Sequence, residues 1–359
     1  MKKKYSFLVI NFFRVTNPYS GASEISYNFF KSIPSKEKKL IQFSDIRQNI
    51  KDVKTIKINS KIDKIFKIKK LANLTFDYCK DKQNPIIIVE GASWAGYSFL
   101  FYHYIKKKLK HAKFIYHSHN IEYLLRKQKS NFFISLLTKY FENYICKKFD
   151  IFTCVSNFDK KKLKHIYDIN AKVFSNGINI PNVKNIKKKK FKFKYIFFCG
   201  SINYKPNKEA LEILVNKIMP IVNKINPDIK LIVSGNKTIN LNNKNLINVG
   251  FLSKNQFYKF LKGASIFVNP MKTAFGSQVK MISALAFGKT IIASKKAILG
   301  LDINIKHNNL YLANNNQNCA NLILKKINSK KFDIKVSKFY QKKYSIKKIT
   351  LNFFNKNLI

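Results

Sequence analysis

The chain has 359 residues, 46% of them hydrophobic and 14% aromatic, which excludes a disordered protein and leaves room for two cores. Lys and Arg number 69 against 18 Asp and Glu, a net charge of +51, yet only Arg14, Arg47 and Arg126 are arginines. Two readings of that charge stand: a lysine-, asparagine- and isoleucine-rich surface imposed by A/T-rich codons, or an attraction to anionic lipid or RNA at low salt, without the guanidinium fork favoured for base readout.

In chain order, "YSFLVINFF" (5–13) reads as a first buried strand and not as a signal peptide, because Asn11 and Arg14 interrupt it and no small-residue cleavage site follows. The strands 85–91, 113–119 and 151–156 come next, with helical stretches at 95–110 and 131–148 between them. "PNVKNIKKKKFK" (181–192) is the best linker candidate, polar and proline-led. The rhythm then restarts with strands at 194–201, 230–236, 246–251, 264–270 and 289–295, and helices near 206–224, 254–262 and 277–287. Continuous apolar strands alternating with helices predict parallel sheets covered on both faces, hence two doubly wound α/β domains with ligands at the carboxyl ends of the strands. The expected division is 1–180, a linker 181–192, a second domain 193–332, and a closing helical segment 333–359. No apolar run reaches the ~18 residues that cross a bilayer. Cys79, Cys146, Cys154, Cys199 and Cys319 are scattered without a CxxC, which predicts free thiols in a reducing cytoplasm and no metal framework.

Two strand–loop–helix segments carry candidate chemistry. In "AFGSQVKMISALAFGKTIIAS" (274–294), Gly276 allows close backbone approach and Ser277 is a candidate cap. Lys280 falls in the first turn, where the helix dipole disfavours a cation unless an anion sits there. Either Lys280 and the helix N–H groups hold a diphosphate, or Lys280 is one more solvated lysine. Ser283 lies one turn further on the same face. In "FFCGSINYKPNKEALEIL" (197–214), Gly200, Ser201, Asn203 and Lys205 line the loop and Pro206 suits a first helical turn, unless this is an ordinary βα turn.

At these segments the chain resembles the GT-B glycosyltransferases, in particular the large retaining family that uses nucleotide-activated sugars in polysaccharide and glycoconjugate assembly. The resemblance rests on "KMISALAFGKTII" (280–292), "GSINYKPN" (200–207), "SNGI" (175–178), "HNIEY" (119–123), "VSNFDKKKL" (155–163) and the glycine-bearing "NPYSGASEISYNFF" (17–30), in the family's order over nearly the whole chain. It implies two Rossmann-like domains with a cleft between them, a C-terminal helix crossing back, a nucleotide-diphosphate sugar as donor, and a glycan or lipid-linked acceptor. It implies no cofactor, no essential metal and no specific nucleic acid. By resemblance the diphosphate falls to Lys280, Gly276, Ser277, Gly200, Ser201 and Lys205, with Lys208 as a further candidate. His119 would stand near the reacting sugar, or be a satisfied strand-end histidine; the role of His117 stays open. Gly21 and Glu122 fall on the acceptor side, Glu122 as a support for its loop; Glu90, Gly91 and Trp94 follow a strand and are candidates to line the cleft, with Trp94 equally a packing residue. The enzyme is expected in the cytoplasm, resting through its lysines on the inner membrane face. One departure stands out: the family's ribose-gripping glutamate falls at Ser283, and no carboxylate occurs between Asp228 and Asp302. That departure keeps a second reading open, a non-catalytic relative of the same fold.

Overall fold

The computed structural model describes residues 5–18, 20–235, 244–273, 276–303, 309–329 and 332–358. The chain forms two compact units, Met1–Gly177 with Ile346–Ile359, and Ile178–Ser345. The first runs β1 (Ser6–Asn11), α1 (Gly21–Ser32), β2 (Lys38–Ser44), β3 (Val53–Lys57), α2 (Lys61–Cys79), β4 (Pro85–Gly91), α3 (Ala95–Ile105), β5 (Lys113–Ser118), α4 (Glu122–Lys129), α5 (Phe132–Lys148), β6 (Ile151–Cys154), α6 (Asn157–Tyr167) and β7 (Lys172–Val173). Its sheet has the order β3-β2-β1-β4-β5-β6-β7, and every pair is parallel.

The second unit runs β8 (Tyr195–Cys199), α7 (Lys205–Ile213), α8 (Met219–Ile225), β9 (Lys230–Ser234), β10 (Leu246–Asn248), α9 (Lys254–Gly263), β11 (Ile266–Asn269), α10 (Val279–Ala286), β12 (Ile291–Ser294), α11 (Lys295–Ile298), β13 (Leu310–Ala313), α12 (Asn316–Lys326) and α13 (Ile334–Lys343). A π-helical turn, Leu214–Ile218, joins α7 to α8. The sheet order is β10-β9-β8-β11-β12-β13, again wholly parallel. Both sheets are doubly wound α/β layers, as the alternation of apolar strands and helices predicts.

In the first unit the period-two alternation sends Leu8, Ile10, Ile87, Val89 and Phe114 to one face, against α2, α3 and α5. Phe7, Val9, Ile86, Ile88 and Ile115 go to the other, against Phe29 and Phe30 of α1 and Phe353 and Phe354 of α14 (Ile346–Asn357). The closing segment 333–359 therefore divides. Within the second unit α13 packs on α10, where Ser337 Oγ donates to Ala286 O at 2.7 Å, while α14 completes the core of the first unit. Residues 181–192 also pack: Val183 is buried, and Lys189 N donates to Lys259 O at 2.9 Å.

The edge strands β3, β7 and β13, and β2 next to β3, escape a reading for apolar runs. "VKTIK" and the two-residue β7 carry lysines at the sheet margin, where one side of the strand has no neighbour to bury it.

Candidate functional site

Among the described residues, the second unit holds a cation with no counter-charge. Gly276 has φ +58 and turns the chain before α10. The helix then starts at Val279, with Gln278 at the N-cap making no side-chain cap bond. Ser277 is thus not the cap: it lies one residue too early in the loop that Gly276 re-aims. Lys280, in the first turn, sends its ammonium to Cys199 O at the end of β8 (3.0 Å) and to Asn207 Oδ1 on α7 (2.8 Å), 4.8 Å from the centre of the Phe198 ring. Both oxygens are neutral. Burial pulls the Lys280 pKa from 10.5 down to about 8. Asn207 is held in turn, donating through Nδ2 to Ser201 O at 2.9 Å. Gly200 is required there because a Cβ would sit 2.6 Å from the Asn207 amide. Ser283 is buried in the turn after Lys280.

The first unit ends its sheet in a polar row. Thr55, Gln42, Asn11, Glu90, His117 and Thr153 are successive register partners across β3, β2, β1, β4, β5 and β6. They continue the parity of Val9, Leu40, Ile88, Ile115 and Ile151, so the apolar layer under α1 becomes polar at the carboxyl ends of the strands. Glu90 Oε2 meets His119 Nε2 at 2.7 Å and accepts from Ser26 Oγ of α1 at 2.6 Å. His117 Nδ1 meets Thr153 Oγ1 at 2.8 Å, and that hydroxyl donates to Tyr116 O at 3.2 Å. Thr153 thus accepts from His117, which fixes its proton on Nδ1. Burial drives the His117 pKa from 6.5 to about 3, so its ring is neutral. Burial alone would raise the Glu90 carboxyl, but His119 and the Ser26 hydroxyl outweigh it and hold the acid below its usual range. Glu90, His117 and His119 have ligand atoms all within 4.8 Å of one another, close enough to share a cation, which would have to replace the Glu90–His119 bond. Among the described residues, Glu90 Oε1 and both polar atoms of the Asn11 side chain have no hydrogen-bond partner, so the row holds unused capacity.

Residues 193–328 match the model of the family "Glycosyl transferases group 1". That match covers most of the second unit. The fold of the whole chain is that of the GT-B glycosyltransferases. The chain is similar to an "Uncharacterized 44.6 kDa protein in cps region" of Klebsiella pneumoniae, 28% identical over 262 residues and 67% of either chain. Its fold is that of sucrose-phosphate synthase from Thermosynechococcus elongatus, with a TM-score of 0.75, 11% identity and coverage of 98% of both chains. It is likewise similar to Anabaena HepE, solved in complex with UDP, with a TM-score of 0.70, 11% identity and coverage of 98% of this chain and 99% of that one.

The other expected site residues fall as follows. Lys205 and Lys208, on α7, are largely exposed and lie 3.9 Å from Glu209 and Glu212 of their own helix. Ser201 is exposed in the loop before them. Gly21 opens α1, behind a Ser20–Ser23 capping box, so the chain after Ser20 is helix and not loop. Glu122 opens α4 and is bound by Arg126 at 2.7 Å. Trp94 precedes α3, donates to Thr138 Oγ1 at 3.0 Å and packs edge-on against Tyr97 and Phe141. Gly91 lies against the Tyr116 ring, 2.6 Å from where a Cβ would stand. Sequence reasoning missed Asn207 as the partner of Lys280 and Glu90 as the partner of His119. The quoted "KPN" held the first signal; the second needed the strand register.

Proposed function

We propose that the enzyme moves a sugar from a nucleotide-diphosphate donor to a glycan or lipid-linked acceptor in cell-surface polysaccharide or glycoconjugate assembly, without a metal and with retention at the anomeric carbon. The observation that carries this reading is Lys280. Its ammonium sits partly buried at a strand end and a helix start, against two neutral oxygens. A diphosphate there would supply the missing negative charge, and the charge that develops on the leaving diphosphate would be met by a cation already in place. The backbone around Gly276 and Ser277 and the loop at Gly200 and Ser201 complete the donor side, and Ser283 takes the ribose side. The UDP found in HepE and the cps-region relative favour the same assignment.

In the first unit, His119 acts on the acceptor side, held by Glu90, with Gly21 and Glu122 shaping the adjoining loops. The lysine excess suits a cytoplasmic enzyme that rests on the anionic inner face of a membrane.

Isothermal titration against UDP, GDP, ADP and CMP tests the donor reading. One nucleotide binds, and Lys280→Ala weakens it roughly ten- to hundredfold, the loss of one charge-assisted bond. Absence of binding by a folded protein to all four sinks it. A second reading has its own observation: a neutral, buried Ser283 where the family carries a glutamate, which favours a non-catalytic relative. Donor binding without hydrolysis or transfer to any acceptor would support that reading.

A further inference from the structure

The first unit carries an apolar helix face with lysines around it. Among the described residues, five of the fifteen exposed large hydrophobics lie within nine positions of α5. Phe132 is 83% exposed and Phe133 67%, and Leu136 and Tyr140 continue the same side of the helix. The opposite stripe, Ser135, Thr138, Glu142, Ile145 and Cys146, is buried. Beside the exposed face a groove of ≈ 700 Å³ runs between α5 and α6, and Lys139 and Lys147 line it. The carboxylates of residues 121–168 do not offset these lysines. Glu122, Glu142 and Asp159 are buried, and Asp150 and Asp168 are paired with Lys106 and Lys164. No described helix is long and apolar enough to cross a membrane.

We infer that α5 is a membrane-docking helix: Phe132, Phe133 and Leu136 enter the headgroup–acyl boundary of an anionic bilayer, and Lys139, Lys147 and Lys148 bind its phosphates from the rim. The inference deepens the peripheral-membrane part of the proposal above, rests on that part, and is independent of sugar transfer. Charge complementarity selects the occupant. A second copy seated symmetrically on this face would bring the same lysines against themselves, and the chain has 18 acidic residues against 69 basic ones to offer in exchange. An anionic lipid surface supplies the opposite charge over a wide area and an apolar layer for the rings. Lysines of this length keep their heads in the phosphate region while the stems lie on apolar surface.

Because +51 alone draws the protein to anionic vesicles at low salt, the experiment must read insertion. The five native cysteines are buried, so Phe133→Cys gives one accessible thiol for a fluorophore. The labelled full chain is mixed with phosphatidylcholine vesicles containing about one-third phosphatidylglycerol, with and without bromine-labelled acyl chains, at about 0.3 M KCl. Quenching by the brominated chains is expected. Phe132→Ser with Phe133→Ser should lower partitioning more than about tenfold, whereas Ile62→Ser with Phe66→Ser, an exposed apolar pair on α2, should not. Bound protein without quenching overturns the inference and leaves only coulombic adhesion. Unchanged partitioning of the double serine variant also overturns it, as does a concentration-dependent dimer in sedimentation that those serines abolish.

Discussion

At the scale of single residues, the chemistry turns on how few charged partners the buried cations and acids have. Lys280 illustrates this. Its ordinary pKa of 10.5 is pulled to about 8 by burial, with the Cys199 thiol opposing slightly, so in the free enzyme it loses its proton just above neutral pH. An anionic ligand binds the protonated form and restores the pKa, so nucleotide affinity should be constant below about 8 and fall as pH rises through it. Calorimetric titrations across that window check this, and Lys280→Ala should flatten the profile. Ser283 makes a second residue-scale case. Ser283→Glu places a carboxylate in a buried position, so it should lower the melting temperature of the free protein. Bound nucleotide should restore it if the glutamate reaches ribose hydroxyls, with affinity rising about tenfold or more from the charge-assisted bonds. A variant whose affinity matches the parent would remove Ser283 from the donor site.

At the scale of elements, α4 begins without help from its own sequence: Ile121 at the N-cap offers no side-chain acceptor. The acceptor comes from α5, where the buried Glu142 takes the N–H groups of Glu122 (2.8 Å) and Tyr123 (3.0 Å) and the hydroxyl of Tyr167 (2.7 Å). Glu142→Ala strands three donors and should cost about 2–4 kcal/mol in denaturant unfolding. Burial, the largest influence, pushes the Glu142 carboxyl from 4.5 up to about 7 despite those bonds. The folded state therefore holds a proton that the unfolded chain has released between those values. The stability this proton confers is complete at low pH and lost as pH rises through about 7. The margin of the parent over Glu142→Gln should shrink across that range. Legibility in the sequence follows the same logic. Central strands such as 85–91 and 113–119, buried on both faces, read directly from apolar runs. Helices α1 and α2 did not, because lysines and polar residues dilute their apolar stripes. Lys280 was legible from its place in a first turn, where a cation is out of keeping with the dipole. Glu90 was not: its link to His119 exists only once β4 and β5 lie in register, and no local spacing encodes that.

At the scale of the whole molecule, the feature with most reach is that the second unit interrupts the first. The chain leaves the first unit at Gly177 and re-enters it at Ile346. A Cβ on Gly177 would come within 2.6 Å of the Ile346 backbone, so Gly177→Val should displace the start of α14 and destabilise the first unit, as read by its melting transition. Ending the chain after Ser345 should do the same more severely, since it removes Phe353 and Phe354 from beneath β1 and α1, while the second unit keeps its own core. Proteolysis of that truncated chain should spare 178–345. During synthesis the same interruption becomes a delay. Residues 178–345 must be translated before α14 exists, a wait of roughly 10–30 s at ordinary elongation rates. Through that interval Phe7, Phe29 and Phe30 lack their cover, so the nascent N-terminal unit is a natural client for ribosome-associated chaperones, and its partner-free half-life is set by the ribosome's pace.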